Sequence, residues 1–320
     1  MAILENTTIT GTDASKLPSG TTAERPSSPE KGMIRHNSTF NTLEYWNGTY
    51  WRYQPDFLRN TLILRYDAAE PDSYSGTGTA VNDISYSTNT YNGTLQNGPT
   101  FDTDGGGCWV FDGTNDYIDS GTTLTEANDL FADTTASWTI SAWFKPDITT
   151  TTDGAVIGRG GGTGGSATFV VYTNGTSLFV RLRGGTVLTV TTSLTNDWYE
   201  VTVIWDHVGS AAEVHLNGQY ISSIAVGTAA LQTYNLTIGA QANGVNTFYK
   251  GKISEVKVYT RPLLIRDAQT NFNSLKRRYG LVIGSADLNS IAALSPEPNI
   301  GTRIKTVLFF KPHVMYTGAS

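Results

Sequence analysis

The sequence predicts an all-β protein: a two-sheet antiparallel jelly-roll sandwich, preceded by an extended arm and hairpin and followed by one helix. Three observations carry this. Short runs of β-branched and aromatic residues recur between turn signals along most of the 320 residues. Glycine is abundant at 33 residues, and only 16% of the chain is charged, against about 25% in a typical soluble domain. A helical period of apolar residues stands out in one place, after Pro262.

The chain begins with an arm. KLPSGTTAERPSSPEKGMIRHN holds three prolines and no helical period, so residues 1–40 are expected to lie extended along a partner surface. LEYWNGTYWRY follows, from Leu43 to Tyr53. Its Asn47-Gly48 supplies the positive φ values of a type I′ turn. A two-residue turn there sets Trp46 opposite Thr49, Tyr45 opposite Tyr50 and Glu44 opposite Trp51. Trp46 and Trp51 then lie diagonally on one face, with Leu43, Tyr45, Tyr50 and Arg52 on the other. An isolated hairpin is marginal in water, and both faces are apolar. Tyr45, Trp46, Tyr50 and Trp51 are therefore expected to pack at a protein interface rather than to box a ligand.

From Leu62 the strands follow in order: TLILRYDA, CWVFDG, DYIDSG, SWTISAWFKP, AVIGRG, TFVVYTNGTSLFVRLRGG, WYEVTVIWDH, AEVHLNGQYISSIAV, NLTIGAQ and GKISEVKVYTRP. Asn174-Gly175 and Asn217-Gly218 each close a hairpin. Trp138, Ile140, Ala142 and Phe144 alternate onto one face. In LLIRDAQTNFNSLKRRYG, residues Leu264, Ala268, Phe272, Leu275 and Tyr279 form one apolar stripe, with Pro262 before it and Gly280 after it. The basic run Lys276-Arg277-Arg278 falls at the helix end, where it complements the dipole. After SPEPN, the run TRIKTVLFFKP reads as a last strand in need of a partner. The expected divisions are 1–55, arm and hairpin; 56–280, jelly roll; and 281–320, a C-terminal extension packing between subunits.

Composition excludes several functions. The net charge of −6 and a pI near 5.2 argue against nucleic-acid binding. No apolar run approaches the roughly 18 residues of a membrane helix, so no membrane insertion is expected, and the N-terminus carries no signal-peptide pattern. Cys108, the single cysteine, sits among strand residues, with no histidine in a recognisable setting to activate it. GRGGGTGGS (158–166) lacks the Gly-Lys-Ser/Thr ending of a phosphate loop and reads as a hairpin loop.

WVFDGTNDYIDSG, SWTISAWFKPD, DWYEVTVIWDH, AEVHLNGQYI, NLTIGAQ and FYKGKISEVKVYTRPL occur in the order of a laminin-G-like, concanavalin-A-like jelly roll, which residues 62–279 resemble. An Asp-Glu-Val element of that family reads Ser254-Glu255-Val256 here, with one acidic position lost. The arm has a second resemblance. LPSGTTAERPSSPEKGMIRHNSTFNTLEYWNGTYW is similar to a segment of bacteriophage tail-fibre and other virion structural proteins.

Together the resemblances imply a virion protein, on the tail or capsid exterior: a tail fibre or tail-associated adhesin whose jelly roll touches host-surface glycans. They imply attachment to other virion proteins through the arm, and a homotrimer. The alternative is a capsid or tail decoration protein with no ligand. Concanavalin-A-like folds host lectins and glycoside hydrolases alike. A retaining glycosidase needs two carboxylates about 5 Å apart, yet EVKVY and YEVTV offer one glutamate each, so no enzyme is expected. The resemblance allows a structural calcium, for which Asp67, Asp83, Asp112 and Asp116 are candidate oxygen donors, unless they cap turns instead. Tyr172, Tyr234 and Tyr249 are candidate aromatic contacts for a glycan.

Overall fold

The computed structural model describes residues 17–38, 42–46, 48, 51–53, 61–85, 87, 89–121, 131, 136–160, 167–209, 211–228, 234–241 and 247–281. The described residues all belong to one compact unit, Met1–Leu281. The TRIKTVLFFKP run lies outside the described residues.

The arm is not simply extended. It forms a four-stranded sheet in the order β1 (Ser19–Gly20), β2 (Ile34–Asn37), β3 (Thr42–Trp46), β4 (Trp51–Tyr53). The hairpin register differs from the expected one: Trp46 pairs with Trp51, Tyr45 with Arg52 and Glu44 with Tyr53. Residues 47–50, not Asn47-Gly48 alone, therefore separate the strands. The two indoles stand directly opposite, 5.8 Å apart. The Trp51 ring also lies 6.0 Å from the guanidinium groups of Arg25 and Arg35. Both arginines flank the fully buried Glu44, with Arg25 Nη2 at 2.6 Å. Asn37 Nδ2 donates to the same carboxylate at 2.8 Å. The inside of this small sheet is thus an ion cluster roofed by tryptophan. Tyr45 is half-buried, and Tyr50 lies outside the described residues.

The jelly roll uses sixteen further strands: β5 (Leu62–Asp67), β6 (Ala80–Val81), β7 (Gly93–Gln96), β8 (Thr100–Asp102), β9 (Cys108–Asp112), β10 (Tyr117–Asp119), β11 (Trp138–Pro146), β12 (Gly154–Gly160), β13 (Ala167–Asn174), β14 (Ser177–Leu182), β15 (Leu188–Thr191), β16 (Tyr199–Asp206), β17 (Ala211–Leu216), β18 (Gln219–Ala225), β19 (Thr237–Ile238) and β20 (Lys250–Tyr259). One sheet runs β15-β14-β13-β12-β19-β10-β7-β6. The other runs β18-β17-β16-β11-β20-β9-β8, with β5 also paired to β20.

Alternation sorts the side chains. Trp138, Ile140, Ala142 and Phe144 all enter the main core, as their period-2 spacing predicts, beside Trp109, Phe169, Val203 and Trp205. The hairpin turns follow their Asn-Gly signals: Asn217 and Gly218 take φ values of 52° and 71° between β17 and β18, and Gly175 takes 56° between β13 and β14.

Helix α1 (Ile265–Leu275) continues as a short 3-10 turn (Lys276–Tyr279) and stops at Gly280, whose φ is 74°. Its first turn is capped by the Asp267 carboxylate, which accepts the Leu264 N–H at 3.1 Å. Ala268, Leu275 and Tyr279 of the expected stripe are buried, whereas Leu264 stays half exposed. Trp143 of β11 anchors the helix to the second sheet. Tyr279 stacks on its ring at 4.0 Å and Phe272 at 5.5 Å.

Candidate functional site

Two polar features stand out, one sealed and one open. The sealed one lies beneath α1, on the face of the second sheet opposite the main core. Strand register lines up Asp67, Glu255, Trp143 and Glu200 on four adjacent strands. A parallel row holds Arg65, Lys257, Ser141, Thr202 and His215. Each named side chain is buried. Burial of this many charges demands pairing, and the pairs are present. Arg65 Nε lies 2.8 Å from Glu255 Oε1, and Lys257 Nζ lies 2.6 Å from Glu255 Oε2. Arg65 Nη2 meets Asp67 at 2.7 Å, and Arg278 reaches the same carboxylate from the end of the helix at 2.8 Å.

Burial pushes Asp67 up, but its two guanidinium partners outweigh that and hold its carboxyl below the usual range. Glu200 has less help. Ser141 Oγ donates to it at 3.1 Å, and burial lifts its pKa to about 7 despite the charge of Lys257. Two glutamates flanking a tryptophan is a placement that the single Glu of YEVTV and of SEVKVY did not reveal, because it depends on the pairing of β11 with both neighbours. The row is no catalytic cleft: Glu200 and Glu255 are at most 1% exposed.

The open feature is a cleft of about 180 Å³ between the turn after β5 and the loop joining β6 to β7. Asp72, Asp83, Ser85, Ser87, Asn89 and Thr90 line it. Asp83 builds its wall. One carboxylate oxygen accepts the backbone N–H of Arg65 at 3.0 Å and of Ser85 at 2.9 Å. The other accepts Ser85 Oγ at 3.1 Å and the Tyr91 N–H at 3.2 Å. Tyr66 then pins the far end of the loop by donating its hydroxyl to the Tyr91 carbonyl at 2.7 Å. Burial raises the carboxyls of Asp72 and Asp83 above their ordinary values.

The candidate calcium ligands do not converge. Asp67 is occupied by arginines and is an ion-paired core residue, not a cation ligand. Asp83 serves the cleft loop. Asp112 accepts the Thr114 N–H at 2.7 Å, and Asp116 accepts the Asp112 N–H at 3.2 Å, both as turn caps. Among the described residues no group of three or more His, Cys, Asp or Glu is placed to hold a metal.

Two of the three aromatic candidates, Tyr172 and Tyr249, need correction as well. Tyr249 is fully buried and packs edge-on against Phe111 at 6.2 Å. Tyr172 is buried and stacks on Phe179 at 5.0 Å. Tyr234 is half-buried, and its carbonyl accepts Arg159 Nε at 2.7 Å. Alternation along a strand identifies a face, but not whether other parts of the fold cover it. Cys108 is buried as expected, and burial raises its thiol to about 12.

Residues 112–267 match the family model of the concanavalin A-like lectin/glucanases superfamily, laminin G type. The jelly roll resembles a concanavalin A-like domain. A sialidase from Trypanosoma rangeli, solved with sialic acid, shares its fold with a TM-score of 0.51 and 12% identity over 68% of this chain and 33% of that one. The binding domain of botulinum neurotoxin serotype D is similar at a TM-score of 0.48 and 14% identity, over 67% of this chain and 52% of that one. The chain thus spans about half the length of the toxin domain and a third of the sialidase chain. No curated protein matches the sequence significantly.

Proposed function

We propose that this chain is a non-enzymatic adhesin of a bacteriophage virion. The concanavalin A-like domain contacts host-surface glycans, and the N-terminal arm joins the chain to other virion proteins in a homotrimer. The observation that carries the glycan reading is the domain itself, matched by the model of a superfamily described by its lectins and glucanases. Support for lectin over glucanase comes from the sealed carboxylate row, since a hydrolase must bring two carboxyls to its substrate. The virion reading is supported by the arm's sequence resemblance alone.

The test is saturable binding of the purified chain to intact candidate host cells, with and without a calcium chelator. Binding unchanged by the chelator is the expected result. No binding to any host that the phage adsorbs would favour a decoration protein instead.

A further inference from the structure

Resting on the glycan-binding reading, we infer that the cleft lined by Asp72, Asp83 and Asn89 is the sugar site, and that it takes an uncharged sugar while rejecting acidic ones. Three features support this.

The first is charge. Asp72 and Asp83 both face the cleft, and its described lining contains no Lys, Arg or His. A sialic or uronic carboxylate would meet two like charges and no counter-ion, in a chain of net charge −6. A neutral sugar meets acceptors for its hydroxyl protons and hydroxyls that give and take hydrogen bonds.

The second is division of labour. An ionised carboxylate offers about four acceptor positions, and Asp83 already receives four donors from Arg65, Ser85 and Tyr91. Asp83 is therefore a positioning residue that shapes the loop. Asp72, Ser87, Asn89 and Thr90 are half-buried or exposed around the opening, where a sugar hydroxyl can reach them.

The third is size. At about 180 Å³ the cleft is smaller than the roughly 300–1,000 Å³ of sites for drug-sized ligands. It suits one ring at the end of a glycan rather than an internal stretch of chain.

The experiment is an array of neutral, sialylated and uronate-bearing glycans, probed with the full chain and with Asp72→Ala and Asn89→Ala. The expected result is selective binding of neutral glycans, weakened about tenfold by each substitution through loss of one hydrogen bond, with unchanged melting temperature. Asn89 is exposed, so its variant keeps the test valid if Asp72→Ala folds poorly. Preference for acidic glycans, or neutral binding that neither variant weakens, would overturn the site while leaving the adhesin reading intact. Binding of no glycan at all would overturn the adhesin reading itself and the inference with it.

Discussion

Asp67 and Arg278 lie 211 residues apart in the sequence and meet in a two-pronged ion pair, with Nη1 at 2.9 Å from Oδ2 and Nη2 at 2.8 Å from Oδ1. Arg278 also donates to the Gly105 carbonyl at 2.6 Å. One side chain thus ties the end of the helical segment to β5 and to the turn before β9. The sequence places the basic run 276–278 at the helix end, where it complements the dipole; Arg278 in addition buries its side chain as a clamp.

Removing one partner of a buried pair costs more than the pair contributes, because it strands the other charge. Arg278→Met is expected to lower stability by about 3 kcal/mol, less than a full orphaning because Arg65 stays on Asp67. The check is a denaturant midpoint. A loss below about 0.5 kcal/mol, the size of a typical surface substitution, would show that the clamp is dispensable.

Glu200 makes stability depend on pH. Its pKa rises from an ordinary 4.5 to about 7 in the folded chain, so the folded state binds the extra proton. Its contribution is fully present below pH 4.5, falls as pH rises to about 7 and is flat above. The difference is on the order of 3 kcal/mol. Asp104 acts in the opposite direction. Its carboxyl is held at about 2, as bonds from Trp198, Lys145 and Lys252 outweigh its burial, so its contribution is lost as pH falls from about 4 towards 2. Unfolding measured from pH 4.5 to 8 should show the alkaline decline in the native chain and a flatter profile in Glu200→Gln. An equal slope in both would remove Glu200 as its source.

Gly218 holds φ at 71°, and a Cβ there would stand 2.9 Å from Phe272 Cβ on α1. Gly218→Ala therefore combines a left-handed backbone penalty with a clash against the helix, about 2 kcal/mol in all. Gly209 has no left-handed φ and open space around it, so Gly209→Ala is the control expected to cost nothing. Thermal unfolding of both variants checks the contrast.

The arm sheet partners its buried Glu44 from within, with Arg25, Arg35 and Asn37. Deleting residues 1–55 is expected to leave a soluble jelly roll with unchanged melting temperature that no longer enters particles. Normal incorporation of the truncated chain would refute the arm's anchoring role.

Local chemistry made the strands and their turns legible in the sequence. Alternation along SWTISAWFKP found the core face because a pleat repeats every two residues whatever packs on it. Asn217-Gly218 found its turn because few residues accept positive φ. The same signal identifies the LEYWNGTYWRY hairpin but gives the wrong register: Trp46 pairs with Trp51, the two indoles meet at 5.8 Å, and the Trp51 ring lies over Arg25 and Arg35, contacts that the tightest turn would forgo. The cleft was harder to foresee. Asp83 stands out in the sequence only as an acid, because its role depends on Arg65 and Tyr91 arriving from two other segments.

By itself, then, the sequence determined an all-β sandwich with one closing helix, since propensity, period and turn chemistry act between near neighbours. Only the tertiary structure decided which acids are partnered by arginine, which tyrosines are covered and where a cleft opens. Those outcomes depend on charges and surfaces brought together across more than two hundred residues, where burial and register, not spacing along the chain, set the energy.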